Sequence, residues 1–411
     1  MMQFKIPKNV EYILEQIHKS GEEAYIVGGC VRDIIMDMEP EDYDITTSAQ
    51  PEHIKRLFRK TIDTGLEHGT VTVLIDGVGY EVTTYRIEGK YEDYRRPTEV
   101  VFTRSLDEDL LRRDFTINAM AYNPIEGIID LYGGQEDIQK KVLRCVGHPE
   151  DRFNEDALRM LRAIRFSAKL DFDIEMATYE AMKKYAYLIE YVSAERIYTE
   201  ITKTLLSKEP WRIEELANCG LIQHILSEYI LHLEDPSIYE ALMRVPPALH
   251  LRWAIYLSGI LSAYQHHPNQ AKIITEILKA LRFDNKTSEK VKMLITQEKT
   301  TISVDKLSIR RHASLLTPPM LYDLLCYKEA KGLILPKEHE RIRELLDTIV
   351  QDQDCLSIKD LDISGKDLIG MGINQGQRIG QVLEELLEYV LTYPKNNQKD
   401  ILIKYVQKIM K

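Results

Sequence analysis

Along the first third of the chain, short β-branched or alternating runs take turns with amphipathic stretches. Residues 25–30 (Tyr-Ile-Val-Gly-Gly-Cys), 42–47, 70–75 and 80–86 have the pattern of strands. Asp76-Gly77 separates the last two and signals a hairpin, since a two-residue turn that follows strand twist needs positive φ at its centre. Val31–Met38 and Pro51–Arg59 carry helical spacing between them. From Asn154 onward the texture changes to 3.6-residue periods over 156–169, 194–206, 270–282, 340–350 and 379–393, and strand signals stop. Pro246-Pro247, Pro268 and Pro318-Pro319 break this region, and a further unit begins near Leu356. The expected fold class is α+β: an N-terminal, mostly antiparallel sheet with helices, followed by an all-helical extension.

Composition narrows the picture. A length of 411 residues implies two to four domains, and 44% hydrophobic with 29% charged residues excludes a disordered or fibrous chain. No stretch approaches a membrane span, and the N-terminal residues run straight into an amphipathic pattern without the apolar core of a signal peptide, so a cytoplasmic protein with no membrane partner is expected. Five scattered cysteines form no CxxC or Cys/His cluster and are expected to be reduced. No repeat, low-complexity tract or obligate protein partner is evident. The net charge of −11 argues against non-specific nucleic-acid binding. Local charge differs: Arg152, Arg159, Arg162 and Arg165 cluster around Glu155 and Asp156, and residues 395–411 hold five lysines against Asp400.

Five constellations carry candidate chemistry. In Gly28-Gly29-Cys30-Val31-Arg32-Asp33 a strand ends in two glycines and a helix begins; glycine admits a phosphate close to the backbone, and Arg32 offers a cationic fork. The bland reading is a tight turn anchored by Asp33. Asp42-Tyr43-Asp44 would place two carboxylates on one strand face, suited to sharing Mg²⁺, against the bland reading of a solvated edge. Glu81, with Thr83 and Tyr85 on one face of the next strand, could complete the cage or take a proton. Arg112-Arg113-Asp114 beside an apolar stretch suits triphosphate or ribose contact, or is a solvated basic pair, and the preceding Tyr91–Pro97 is expected to be a mobile loop. Last, a helix opened by Asn154 as N-cap would bury Leu158, Leu161 and Ile164 while Asp156, Arg159, Arg162 and Arg165 recur every third residue along its edge. That edge is either an ion-paired basic face or a site where Asp156 and Arg159 meet one polar ligand and Arg162 and Arg165 hold phosphate.

Taken in order, the glycine turn, Asp42-x-Asp44, Glu81, Arg112-Arg113-Asp114-Phe115, Asp130-Leu131-Tyr132-Gly133-Gly134 and Glu155-Asp156-x-x-Arg159 resemble the motifs of the class II tRNA nucleotidyltransferases of the bacterial CCA-adding type. Ser193-Ala194-Glu195-Arg196-Ile197 through Glu200 resembles that family's neck-helix motif, and Ser364-Gly365-Lys366-Asp367-Leu368 with Gly376 and Gly380 its tail; Gln377 stands where proline is common. The resemblance implies a head over 1–145 (a nucleotidyltransferase palm), a neck over 146–210, a body over 211–345 and a tail over 346–411. It further implies Mg²⁺ on Asp42 and Asp44 with Glu81 as third carboxylate, and nucleotide contacts from Gly28, Gly29, Arg32 and Arg113. Asp156 and Arg159 would read the base edge in place of a template, Arg162 and Arg165 would support the triphosphate, and Lys395, Lys399, Lys404 and Lys408 would meet the tRNA elbow.

The implied activity is addition of CMP, CMP and AMP to a tRNA 3′ end from CTP and ATP, releasing pyrophosphate. Relatives that add only CC or only A, a poly(A) polymerase and a non-catalytic RNA-binding module are the alternatives. The loop at Tyr91–Pro97, shortened in CC-adding relatives, is present, and the intact Asp42, Asp44 and Glu81 speak against loss of catalysis.

Overall fold

A computed structural model describes residues 4–410 apart from 89–90, 93–95, 98–99, 230, 232–235 and 374–375; side chains of 88–99 are also outside the description. The chain divides into two compact units, one comprising residues 1–233 with 280–282, the other 234–279 with 283–411.

The first unit opens with helix α1 (Lys8–Lys19), whose Val10, Ile13, Leu14 and Ile17 form one buried stripe. It continues through β1 (Ala24–Val27), α2 (Gly29–Ile35), β2 (Ile45–Thr47), α3 (Pro51–Leu57), β3 (Thr61–Gly65), β4 (Thr70–Ile75) and β5 (Val78–Thr84). Next come β6 (Arg86–Glu88), β7 (Tyr91–Glu92), β8 (Arg96–Pro97), β9 (Val100–Phe102), α4 (Leu106–Leu111), β10 (Met120–Asn123), β11 (Gly127–Asp130) and α5 (Gly134–Lys140). Seven strands make one sheet in the order β11-β10-β1-β2-β5-β4-β3. Only the β2–β5 pairing is parallel, so the sheet is mostly antiparallel as expected.

Alternation along the strands sorts side chains into two cores. Ala24, Ile26, Met120 and Tyr122 join α1, α2 and α3 on one face, while Tyr25, Val27 and Ala121 meet Tyr85 and Leu110 on the other. The hairpin at Asp76-Gly77 forms as its sequence demands, with φ of 51° and 81°.

Several expectations need correction. The run 42–47 pairs as a strand only from Ile45, so Asp42 and Asp44 stand just ahead of β2. The run 25–30 stops at Val27, because Gly28 at φ 80° turns the chain into α2. Tyr91–Pro97 is not wholly without strand: β7 and β8 pair through Tyr91–Pro97 and Glu92–Arg96, while the mobility expected of 93–95 falls outside the described residues. Strand pairing also persists beyond the sheet, where β12 (Val142–Leu143) runs parallel to β13 (Asp173–Ile174).

After α6 (Pro149–Glu155), α7 (Leu158–Leu170), α8 (Met176–Tyr185) and α9 (Ala194–Leu205), the chain is helical. The second unit is helical throughout its described residues, including Leu249–Ile260, Asn285–Thr296, Pro318–Ala330 and Pro336–Gln351. Its last core gathers Leu368, Val382, Leu386, Val390, Leu402 and Val406. Among the described residues no helix is long and apolar enough to cross a membrane.

Gly259, in the helix Leu249–Ile260, admits Ile238 against its backbone: a Cβ there would stand 2.2 Å from Ile238 Cγ1. Gly259→Ala is therefore expected to cost about 1–3 kcal/mol by overpacking, and Ile238→Val in the same chain to recover part of it. Denaturant unfolding measures both, and a Gly259→Ala protein as stable as the parent would contradict the packing.

Candidate active site

The site grows from the end of β1. At Gly28 the backbone turns with positive φ, and the Arg113 guanidinium lies against the turn: a Cβ on Gly28 would meet Arg113 Nη1 at 3.1 Å. The positive φ calls for glycine, and a side chain there would also make the Arg113 guanidinium give way by a few tenths of an ångström. Beside it the Val27 amide donates to the Asp44 carbonyl at 3.0 Å, which brings the acidic segment against the glycine turn. Asp42 and Asp44 are exposed on either side of half-buried Tyr43, which packs on the core, so the same-side alternation survives although the segment lies outside the paired strand. Ile45 is paired in parallel with Val82, which puts Glu81 one position before the ladder, alongside Asp44.

This is an acidic cleft. Asp44 keeps an open surface yet is walled by protein; burial and the neighbouring Asp42 carboxylate push its pKa up to about 6, Arg113 pulls the other way, and Glu81 adds to the rise. Among the described residues no three His, Cys, Asp or Glu side chains converge as a protein-only metal cage. Two neighbouring carboxylates are nevertheless what a hard divalent cation takes from a protein when substrate phosphates and water complete its shell.

Arg32 is not presented to solvent. It is 3% exposed, donates to Asp33 Oδ1 from Nε (2.8 Å) and Nη2 (2.6 Å), and reaches Asn118 Oδ1 from Nη1 (2.6 Å). Its fork builds the wall behind the turn, and a Cβ on Gly29 would stand in ordinary contact with it, 3.5 Å from Nη2. Arg113 is the more open cation and donates to buried Asp109 Oδ2 at 3.3 Å.

The second cluster surrounds α7. The single helix expected from Asn154 is two: α6 starts with Pro149 at its first turn, Asn154 lies inside it and donates to the Glu150 carbonyl, and the chain breaks at Asp156 in extended conformation before α7. The buried stripe of Leu158, Leu161 and Ile164 forms as expected. Asp156 accepts the Leu158 amide at 3.1 Å, which holds the break, and takes Arg196 Nη1 and Nη2 at 3.2 and 2.6 Å. Arg159, 7% exposed, bonds Glu155 Oε2 at 2.5 Å and the Arg112 carbonyl at 2.8 Å. Arg162 grips Asp114 through Nε (2.7 Å) and Nη2, and Arg165 Nε lies 3.0 Å from Glu200. Burial alone would raise Asp114, but the charge and hydrogen bonds of Arg162, with Asn118, outweigh it and hold the carboxyl down at about 2. Arg32, Arg162 and Arg165 all lie over the Phe166 ring, at 5.3, 5.4 and 4.3 Å.

In the sequence Arg196 and Glu200 stand out only as part of a neck-helix motif; their spacing of four on α9 is the signal that they face one neighbour. Asp109 stands three and four residues before Arg112 and Arg113, which is a signal of the same kind, whereas buried Asn118 carries none and joins the site only through the fold. Asp130 accepts the Gly134 and Gln135 amides at 2.8 Å each, so its motif starts α5. In the second unit Lys395, Lys404 and Lys408 are exposed, Lys404 and Lys408 one turn apart, whereas Lys399 pairs with Asp367 Oδ1 at 2.7 Å. Asp367 also closes a capping box with Ser364.

A mixed sheet with carboxylates ahead of a central strand and a glycine turn next to it defines the palm of a nucleotidyl-transferring enzyme. Family models agree: the Poly A polymerase head domain matches residues 24–144, the probable RNA and SrmB-binding site of polymerase A 171–231, and tRNA nucleotidyltransferase domain 2 residues 260–406. The CCA-adding enzyme of Limosilactobacillus reuteri (strain DSM 20016) is 38% identical over 410 residues, 97% of this chain and 96% of its own. That of Streptococcus agalactiae serotype V is 54% identical over 205 residues, half of each chain. The crystal structure of the Bacillus stearothermophilus CCA-adding enzyme in complex with CTP is similar at TM-score 0.82 and 29% identity, covering 99% of both chains. The chain belongs to the family of CCA-adding enzymes, the bacterial class II tRNA nucleotidyltransferases.

The raised Asp44 carries a pH signature. Below its unfolded pKa both states hold the proton; as pH climbs toward 6 the unfolded chain ionises first, so folding stability is lost across that interval. In chelator, Asp44→Asn is expected to raise the melting temperature above pH 6 and to leave it unchanged below pH 4, relative to the parent. Equal curves at pH 7.5 would contradict the crowding of the three carboxylates.

Proposed function

We propose that the chain adds CMP, CMP and AMP to the 3′ end of tRNA from CTP and ATP, with release of pyrophosphate. The observation that carries this reading is the match to CCA-adding enzymes along 97% of the chain. Its four-part division into head (1–145), neck (146–210), body (211–345) and tail (346–411) belongs to the same proposal.

The acidic cleft supports Asp42 and Asp44 as the carboxylates that hold Mg²⁺, which when bound supplies charge for the transferring phosphoryl group and lowers the pKa of the attacking hydroxyl. Glu81, beside Asp44, is placed to accept the proton of the tRNA 3′-hydroxyl as it attacks the α-phosphate of the nucleotide. Gly28 and Gly29 let the triphosphate approach the backbone, and Arg113 meets its charge. Arg32 contributes from behind by fixing Asp33 and Asn118. The segment Tyr91–Pro97 would serve the change from C to A.

Base choice falls to Asp156 and Arg159. A carboxylate accepts from an exocyclic amino group, which cytosine and adenine present and uracil lacks, while an arginine donates to ring nitrogens or carbonyls. Each carboxylate oxygen accepts two hydrogen bonds, so Asp156 can take an amino group while Arg196 keeps it aimed. Arg159 is engaged with Glu155 and with the Arg152 and Arg112 carbonyls, and a base would compete with these partners for its donors. Arg162 and Arg165 fix the surrounding charge, and the exposed Lys395, Lys404 and Lys408, with Lys399, suit tRNA phosphates.

The direct test offers tRNA transcripts ending at the discriminator base, at C or at CC, with CTP and ATP separately and together. Full CCA ends should form in Mg²⁺, and Asp42→Ala or Asp44→Ala should abolish both additions while tRNA binding stays nearly intact. Products stopping at CC, or lengthening only from CC, would assign a CC- or A-adding enzyme instead. Asp156→Ala and Arg159→Ala are expected to let UTP or GTP compete, each losing about 1–3 kcal/mol of discrimination. Variants that slow CTP and ATP equally while UTP stays excluded would make the pair purely structural.

A further inference from the structure

Asp109 is a charge with no path to solvent. At 0% exposure its Oδ1 accepts Arg112 Nε and Nη2 at 2.9 and 2.7 Å and the Arg86 amide at 3.4 Å, while Oδ2 accepts Thr46 Oγ1 at 3.1 Å and Arg113 Nη2 at 3.3 Å. Burial would push its pKa up; Arg112 and Arg113 outweigh that and keep it ionised. Each partner sits at a different part of the site. Thr46 is two residues beyond Asp44 on β2, and Arg86 opens β6, which pairs with β9 as Tyr91–Pro97 departs and returns between them. Arg113 is the cation against the Gly28 turn, and its Nε is buried without a hydrogen-bond partner among the described residues.

A buried carboxylate with this many donors would be satisfied by Arg112 and Thr46 alone. Its second oxygen instead reaches Arg113, four residues along and pointing back at the glycine turn. An arginine fork is useful to a phosphate only in one orientation, and holding one Nη fixes the direction in which the other donors face.

We propose that Asp109 is a positioning residue for nucleotide binding: by holding Arg113 Nη2 and Thr46 together, it sets the distance between the cation at the Gly28 turn and the acidic cleft ahead of β2. This rests on the reading of Arg113 as a nucleotide contact. Loss of a charge-assisted bond of this kind predicts about a tenfold rise in KM for both nucleotides, whereas a role in folding alone moves stability without moving KM.

The test is a double-mutant cycle with Asp109→Asn and Arg113→Ala, read as KM and kcat for CTP on a transcript ending at the discriminator base and for ATP on one ending at CC, with melting temperatures alongside. Asp109→Asn should raise KM about tenfold for CTP and ATP in the same proportion, and add nothing once Arg113 is alanine. Additive losses, or an Asp109→Asn protein less stable with unchanged KM, would overturn the proposal. Should the amide variant fail to fold, Asp109→Glu, which keeps the charge but moves the fork by one methylene, goes through the same cycle: a raised KM that vanishes in the Arg113→Ala background supports the proposal, and an additive or absent KM effect overturns it. If Arg113→Ala itself leaves KM unchanged, the reading of Arg113 fails first, and the positioning proposal is overturned with it.

Discussion

One buried carboxylate ties helix α7 to the glycine turn at the end of β1. Asp114 binds Arg162 of α7 through one oxygen, and through the other it takes the Phe115 amide (2.8 Å) and Asn118 (3.2 Å). Asn118 in turn accepts Arg32, which grips Asp33 at the glycine turn. The run Arg162–Asp114–Asn118–Arg32–Asp33 is a continuous polar network through an otherwise apolar interior, with the Phe166 ring under three of its guanidinium neighbours. Such a network is stiff when every member is satisfied, and removing one member leaves another charge buried and unpaired. It holds α7 and the glycine turn of the first unit in one register.

The two key aspartates of this unit show how environment divides labour between identical side chains. Asp114, enclosed by donors, sits near pKa 2 and is committed to structure. Asp44, pushed up to about 6 by burial and then by Asp42 and Glu81 against the pull of Arg113, sits where an added positive charge is favoured. The contrast separates a carboxyl left open to a cation from one committed to the frame.

Much of this is legible in the sequence because local rules and tertiary needs coincide. The strands at 70–75 and 80–86, the Asp76-Gly77 turn and the periodic helices appear close to where their patterns put them. Gly28, Asp42, Asp44, Glu81 and Arg113 gather at one place, as their motif order implies. What the pattern cannot supply is pairing. The helix from Asn154 looks continuous because Ala157 and its neighbours favour helix, yet Asp156 bonds the Leu158 amide and Arg196 and so stops α6. Arg32 and Arg159 read as phosphate and base ligands; Glu155, four residues before Arg159, is legible as its ion pair, but Asn118 and the Arg112 carbonyl are set by tertiary packing that no single segment records. Asp109 differs: its spacing to Arg112 and Arg113 is local, but in an acidic helix start it reads as solvated, and only the fold shows it enclosed.

The proposed function seats the nucleotide across the Gly28 turn with its base against Asp156 and Arg159. A crystal structure of the protein with CTP and Mg²⁺ tests that placement most directly. The triphosphate is expected at the Gly28-Gly29 backbone within hydrogen-bond reach of Arg113, and the cytosine amino group on Asp156 with an Arg159 donor turned from Glu155 or the Arg112 carbonyl to the base. A cytosine bound elsewhere, with both arginine pairings unchanged, would contradict it.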